Sequence, residues 1–351
     1  MSSSTSADQV ARRRAEGKGE GKGAAAAGAE GAGAGGGEVV WIGRGESRYA
    51  HRRIPRHCVG VAERPPELPQ LERMLRGLGL STVCEEARCP NRNQCWSERA
   101  VTFMLMGSVC TRACRFCSVA TGRPPAAPDP AECAKVAAAA ETLGLRHVVL
   151  TSVNRDDLPD GGAAHFAATV RAIRERRPES TVEVLTPDFQ GDFAAVATLC
   201  DAAPEVFNHN VETVPALYRS VRPGARFERS LAVLAEAKRL RPDSVVKSGL
   251  MVGLGETRQQ VRELLEALRG AGVDSLTVGQ YLRPTRDHLA VERYWEPEEF
   301  DALASEARGL GFAHVASGPL IRSSYNAEET LHEARSATQR EARPSRRNSE
   351  P

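Results

Sequence analysis

The sequence predicts an α/β fold, an incompletely closed (β/α)6 barrel, and two observations carry that expectation. Short β-branched runs alternate with longer amphipathic stretches through most of the chain, the pattern left when helical crossovers join parallel strands. About six such βα units can be counted, too few for a closed eight-stranded barrel. A doubly wound open sheet is the alternative, and in either architecture function belongs at the C-terminal ends of the strands.

Taken in order, residues 1–37 are mostly Ser, Ala, Gly, Arg, Lys and Glu, a composition that cannot bury enough apolar surface to offset the entropy of ordering. They read as a disordered tail. Arg12-Arg13-Arg14 would suit a transit peptide, but Glu16, Glu20 and Glu30 do not. Residues 38–100 hold prolines, turn residues and four cysteines with little periodicity, and are expected to pack as an extension over one end of the barrel. Strands are expected at 101–106, 147–151, 181–185, 205–208, 245–251 and 275–278, with helices at 130–143, 162–177, 193–200, 227–240, 258–271 and 296–309. That places the barrel core at 101–318 and a closing segment at 319–335. Residues 336–351 lack hydrophobic periodicity and read as a second loose tail.

Composition excludes several classes. The 47 basic and 45 acidic residues leave a net charge of +2 without the one-sided field of a dedicated nucleic-acid binder, so no nucleic-acid partner is expected. No apolar run approaches the roughly 20 residues that cross a bilayer, and no membrane association is expected. Six of the nine cysteines fall between Cys84 and Cys117, in a chain with no secretory signal core. An odd, clustered set argues for metal rather than a disulfide framework, and for a reducing compartment. Cytoplasmic localisation is expected, or organellar if residues 1–37 are a transit peptide.

The segment Cys110-Thr-Arg-Ala-Cys114-Arg-Phe-Cys117 follows the first expected strand, on the loop where a barrel carries its cofactor. Three thiolates at this spacing can wrap one face of a 4Fe-4S cube and leave the fourth iron open to another ligand. A zinc loop is the bland alternative, but no nearby residue supplies the fourth ligand at zinc-site spacing. The spacing, with Phe116 before the last cysteine, resembles the radical S-adenosylmethionine (SAM) superfamily. There the open iron is chelated by the amino and carboxylate groups of SAM. A second triplet lies upstream in Cys84-Glu-Glu-Ala-Arg-Cys89-Pro-Asn-Arg-Asn-Gln-Cys95-Trp96, and Arg322-Ser323-Ser324-Tyr325 lies near the C-terminus. The combination closely resembles the lipoyl synthase family, over about residues 70–330.

That resemblance implies two 4Fe-4S clusters and SAM as cofactors. Cys110, Cys114 and Cys117 would hold the radical cluster. Cys84, Cys89 and Cys95 would hold an auxiliary cluster, with Ser324, rather than Ser323, as its fourth ligand. A serine oxygen is a harder, poorer partner for this iron than a thiolate, which suits a cluster that is dismantled in turnover. Within Leu150–Gly162 and Asn208–Thr213 the resemblance points to Asn154, Arg155, Asn210 and Glu212 as contacts to SAM. The implied reaction removes hydrogen from carbons 8 and 6 of an octanoyl chain linked to a carrier lysine, and inserts sulfur at each. Carriers would be octanoylated lipoyl domains of 2-oxoacid dehydrogenase complexes and the glycine cleavage H protein, with flavodoxin or ferredoxin as electron donor. Arg219, Arg222, Arg226 and Arg229 could steer such acidic carriers, although a solvated helix face is the commoner meaning of such a run.

Other signals are weaker. Gly253-Leu-Gly255-Glu256 lacks the third glycine of a dinucleotide loop, and Asp160-Gly161-Gly162 reads equally as a turn before a helix. Cys58, Cys133 and Cys200 read as small buried hydrophobes, and His209 and His288 as structural residues. Competing functions are another two-cluster radical enzyme, a zinc-stabilised binding module, and a methylthiotransferase acting on nucleic acid. The last lacks room for an RNA-binding domain.

Overall fold

A computed structural model of the chain describes residues 54–60, 65, 66 and 68–341. The expected tail over residues 1–37 lies outside them. In chain order the elements are α1 (Leu68–Gly77), β1 (Ser81–Thr82), α2 (Val83–Glu86), α3 (Arg92–Ser97), β2 (Thr102–Leu105), β3 (Val109–Cys110), β4 (Ala120–Thr121), α4 (Glu132–Leu143) and β5 (His147–Ser152). There follow α5 (Ala163–Arg176), β6 (Thr181–Leu185), α6 (Phe193–Cys200), β7 (Val206–Asn208), α7 (Tyr218–Val221), α8 (Phe227–Leu240) and β8 (Val245–Val252). The chain then forms α9 (Arg258–Gly270), β9 (Ser275–Gln280), α10 (Pro297–Gly309), β10 (His314–Gly318) and α11 (Ala327–Glu341).

One sheet runs β1-β2-β5-β6-β7-β8-β9-β10, all parallel except the antiparallel edge strand β1. No pairing joins its two edges among the described residues, so the sheet stays open. The six expected strands all form, each followed by its crossover helix. The strands are buried on both faces, which is why they read as continuous apolar runs. Strand β10 was not expected. It is an edge strand in which Val315 alone is buried, so it shows neither an apolar run nor an alternation. Helix α11 continues to Glu341, a correction to the loose tail expected from Ser336.

Local chemistry sets the helix starts. Asp192 accepts the Ala194 amide at the head of α6, and Thr257 with Gln260 forms a capping box at α9. Pro297 opens α10 at a position where its missing N–H costs nothing. Helix α11 lies against the N-terminal ends of the strands: Leu331 and Ala334 pack with Val206 and Val245, and Glu328 pairs with Arg146 at 3.1 Å. The opposite, C-terminal ends are left for the polar segments. Among the described residues no helix is long and apolar enough to cross a membrane.

Candidate active site

The chain leaves β2 through Met106 and Gly107, both in the left-handed region with φ of 66° and 92°. This turn delivers Cys110 into β3, which pairs with β4 beyond Cys117 and closes the cysteine loop at its base. Neighbouring segments pin the loop on all sides. The Thr111 amide donates to Asn154 O at 3.0 Å, the Arg115 amide to Val221 O at 2.9 Å, and the Leu289 amide to Arg115 O at 3.1 Å. His288 Nε2 donates to Cys117 O at 2.8 Å. Arg112, buried, bonds both oxygens of Asp156 at 2.8 and 2.9 Å and Asp188 Oδ1 at 2.6 Å, tying the loop to the ends of β5 and β6.

The three thiols of this loop share one electrostatic neighbourhood. Backbone amides of Asn154 and Arg112 donate to Cys110 Sγ at 3.3 and 3.5 Å. Burial pushes Cys117 up to about 12, with the charges of Cys114 and Cys110 adding to it. Burial also raises Cys114, while the Arg222 guanidinium beside it pulls the other way. Buried thiols of this kind are inert until a metal takes the proton's place.

The upstream triplet is built by two short helices. Thr82 caps α2, which carries Cys84; Arg88, at φ of 51°, turns the chain so that the Cys89 amide returns to Cys84 O at 3.2 Å. Cys95 sits on α3. Burial raises Cys84 and pushes Cys95 up to about 12, and the charge of Cys89 is felt at both, so the three sulfurs lie together. Trp96 Nε1 is buried without an oxygen or nitrogen partner and lies close enough to lower the Cys84 thiol, a donor suited to a cluster sulfur. Among the described residues no three His, Cys, Asp or Glu side chains converge as a single-ion site requires. A cube makes no such demand, because each thiolate binds a different iron.

The C-terminal motif folds back onto this triplet. Asn91 Nδ2 donates to Leu320 O at 2.6 Å, and Gln94 Nε2 donates to the Tyr325 hydroxyl at 3.1 Å. Its other side lies against the sheet. A Cβ on Gly279 of β9 would strike Ile321 O, and one on Gly249 of β8 would meet Thr277, Asn210 and Ser323. Only glycine lets the segment approach this closely. Arg322, half-buried, donates to Ile321 O at 2.6 Å and Pro319 O at 3.4 Å and lies within the electrostatic reach of Cys89, Cys58 and Glu212.

The four residues expected to contact SAM divide. Asn154 and Asn210 each present a buried Oδ1 with no donor. An incoming ammonium would satisfy such an acceptor, so these two residues fit the group. Asn210 Nδ2 is already used, donating to Ser323 Oγ at 2.6 Å and Glu212 Oε1 at 3.2 Å. Glu212 holds a left-handed backbone, φ of 67°, through its amide to Gly249 O at 3.0 Å and its carbonyl from Met251 N at 2.9 Å. Such a conformation costs a non-glycine residue about 1–3 kcal/mol and collects at functional sites. Loss of solvent raises its carboxyl, partly offset by Arg222 and Asn210. Arg155 departs from the expectation. Its guanidinium is committed to Asp157 at 2.8 Å through Nε and Nη2, to Met106 O at 3.3 Å and to Ala126 O at 3.1 Å. It braces the cysteine loop from behind.

The arginine run also departs from its reading. Arg222 is buried, donating to Asn210 O at 2.9 Å and Val211 O at 3.1 Å, and Arg229 pairs with Asp188 at 3.4 Å; Arg219 and Arg226 are exposed. Arg222 was thus missed as part of the site. The Pro-Gly that follows it, ending α7, was the one available hint. Gly253 and Leu254 donate their amides to Glu256, so that loop closes on its own carboxylate and is no nucleotide cradle. Asp160 accepts the Gly162 and Ala164 amides, the plain helix-start reading.

Comparison with known proteins identifies the family. Residues 104–279 match the Radical SAM superfamily. A lipoyl synthase of Rubrobacter xylanophilus is 55% identical over 270 residues, 77% of this chain and 84% of that protein. The lipoyl synthase of Symbiobacterium thermophilum is 55% identical over 268 residues, 76% of this chain and 83% of that protein. That of Thermus thermophilus is 54% identical over 270 residues, with coverages of 77% and 84%.

Proposed function

The chain belongs to the lipoyl synthase family within the Radical SAM superfamily, and from that membership we propose how its own residues divide the work. It is a sulfur-inserting enzyme that acts on a protein-bound octanoyl chain, with 4Fe-4S clusters and SAM as cofactors. Cys110, Cys114 and Cys117 hold the radical cluster, and Cys84, Cys89 and Cys95 the auxiliary one. Ser323 is taken up by Asn210, which leaves Ser324 to complete the auxiliary set. When bound, these groups supply a 5′-deoxyadenosyl radical able to remove hydrogen from unactivated carbons, and the sulfur placed at carbons 6 and 8.

The residues around them orient and shield. Asn154 and Asn210 offer unpartnered oxygens to the SAM ammonium, while Arg222 sets a positive charge beside Cys114 that favours its thiolate. Arg112, Arg155 and His288 fix the loop so that the reacting groups stay in register. The observation that carries this division is the docking of residues 320–325 on Asn91 and Gln94.

Lipoyl domains and the glycine cleavage H protein are the proposed carriers, with the exposed Arg219 and Arg226 available to acidic surfaces. For flavodoxin or ferredoxin, the proposed donors, a cleft of about 550 Å³ opens beside Thr111, Arg112, Arg226 and Arg229, on the outer side of the radical loop. A cytoplasmic enzyme fits these partners. The test is anaerobic incubation of the reconstituted protein with an octanoyl-lysine carrier, SAM and a reductant, followed by mass spectrometry of the carrier. Gain of two sulfurs is expected. SAM cleavage with the carrier unchanged would refute the substrate, and a colourless zinc protein would refute the cluster assignment.

A further inference from the structure

The side chain of Asn210 faces two neighbours while its main chain is held still. Arg222 Nη1 donates to the Asn210 carbonyl at 2.9 Å. Two residues on, the Glu212 amide donates to Gly249 O at 3.0 Å, and the Glu212 carbonyl accepts the Met251 amide at 2.9 Å, so the segment is pinned along β8. At the end of the side chain, Oδ1 is buried without a donor. Nδ2 donates to Ser323 Oγ at 2.6 Å and to Glu212 Oε1 at 3.2 Å. Ser323 belongs to the closing segment and is the residue before Ser324.

This contact has little slack. A Cβ on Gly249 would come within 2.9 Å of Asn210 Oδ1 and 3.1 Å of Ser323 Oγ, so both side chains rest on bare backbone at the same point of β8. The two ends of an amide also have opposite roles, one accepting and the other donating. A donor that arrives at Oδ1 fixes that end as the acceptor, because the reversed amide would aim its own N–H groups at the newcomer. It polarises the amide as well, which strengthens the bond that Nδ2 donates. A Ser323 already in place has the converse effect, presenting Oδ1 ready to accept.

We infer that Ser323 is a positioning residue: its hydrogen bond with Asn210 couples occupancy of the SAM site to the placement of Ser324 on the auxiliary triplet. The inference rests on the proposed contact of the SAM ammonium with Asn210 and on Ser324 as the fourth auxiliary ligand. Ammonium at Oδ1 tightens the bond to Ser323 and so steadies its neighbour Ser324. Ligation by Ser324 steadies Ser323 and so favours SAM, by the same factor in both directions. The auxiliary set is therefore most firmly closed when SAM is in place.

The test measures SAM affinity by equilibrium dialysis of the anaerobic holoprotein with its clusters oxidised, so that SAM binds without being cleaved. Ser323→Ala and Ser324→Ala, each at full iron content, should weaken SAM binding roughly three- to tenfold, the worth of one hydrogen bond. The double variant should bind no more weakly than either single one, because both changes cut the same connection. Native affinity in either serine variant, or losses that multiply to roughly ten- to a hundredfold in the double variant, would overturn the coupling. Asn210→Ala separates this inference from the reading beneath it. Weaker SAM binding there beside native affinity in Ser323→Ala refutes the coupling alone. Native affinity in Asn210→Ala refutes the SAM contact, and the coupling with it.

Discussion

Arg155 and Arg222 exchange the roles that their sequence contexts suggest. Arg155 sits in a polar strand end and reads as a cofactor contact, yet its donors are spent on Asp157 and on the carbonyls of Met106 and Ala126. Arg222 reads as one arginine of a solvated run, yet it is buried beside Cys114. A guanidinium's partners come from elements distant in sequence, so neither fate is written in the local pattern. The cysteine triplets stand out in the sequence because spacing is a local property. His209 was set aside as structural, and its surroundings explain why. Its Nδ1 donates to Thr186 O at 2.9 Å, and its Nε2 shares a hydrogen bond with Ser230 Oγ at 2.9 Å, so the neutral ring is fully satisfied with its proton on Nδ1. Burial, with Arg222 nearby, pushes its pKa down to about 4. The unfolded chain takes up a proton near pH 6.5 that the folded one refuses until about 4. The resulting stabilisation is therefore present above pH 6.5 and is lost as pH falls below it, by up to about 1.4 kcal/mol per pH unit. Urea midpoints measured from pH 7 to pH 5 should fall more steeply in the native protein than in His209→Gln; parallel slopes would contradict this assignment.

At the scale of elements, the inner strands were readable because each is covered on both faces and must be apolar. Strand β10 was not, since an edge strand with one buried residue leaves no period to detect. Nor could sequence reveal that residues 319–325 lie against β8 and β9, because the glycines that permit it are ordinary strand glycines until their neighbour is known. Gly279 states the constraint most sharply: a Cβ there meets the Ile321 carbonyl, which belongs to backbone and cannot swing away. Gly279→Ala should cost about 1–3 kcal/mol through overpacking and displace the closing segment. Iron analysis of the reconstituted variant should show partial loss of the auxiliary cluster, while the radical loop, held by Arg112 and His288, keeps its own. Full iron content in Gly279→Ala would show that the segment tolerates displacement.

For the molecule as a whole, the open sheet brings two cysteine triplets of separate origin to one end. Cys110, Cys114 and Cys117 sit on the segment that follows β2. Cys84, Cys89 and Cys95 sit on the preceding segment, where Leu320 and Tyr325 from the far end of the chain bond Asn91 and Gln94. The proposed division of labour gives one set of thiolates to generating the radical and the other to supplying sulfur. The most direct measurement compares two triple variants after anaerobic reconstitution, Cys84/Cys89/Cys95→Ala and Cys110/Cys114/Cys117→Ala, by iron content, SAM cleavage and carrier mass. Each should lose about four of about eight irons. The first should still cleave SAM and leave the carrier mass unchanged, and the second should cleave none. Sulfur insertion by the first variant, or SAM cleavage by the second, would contradict the two-site assignment.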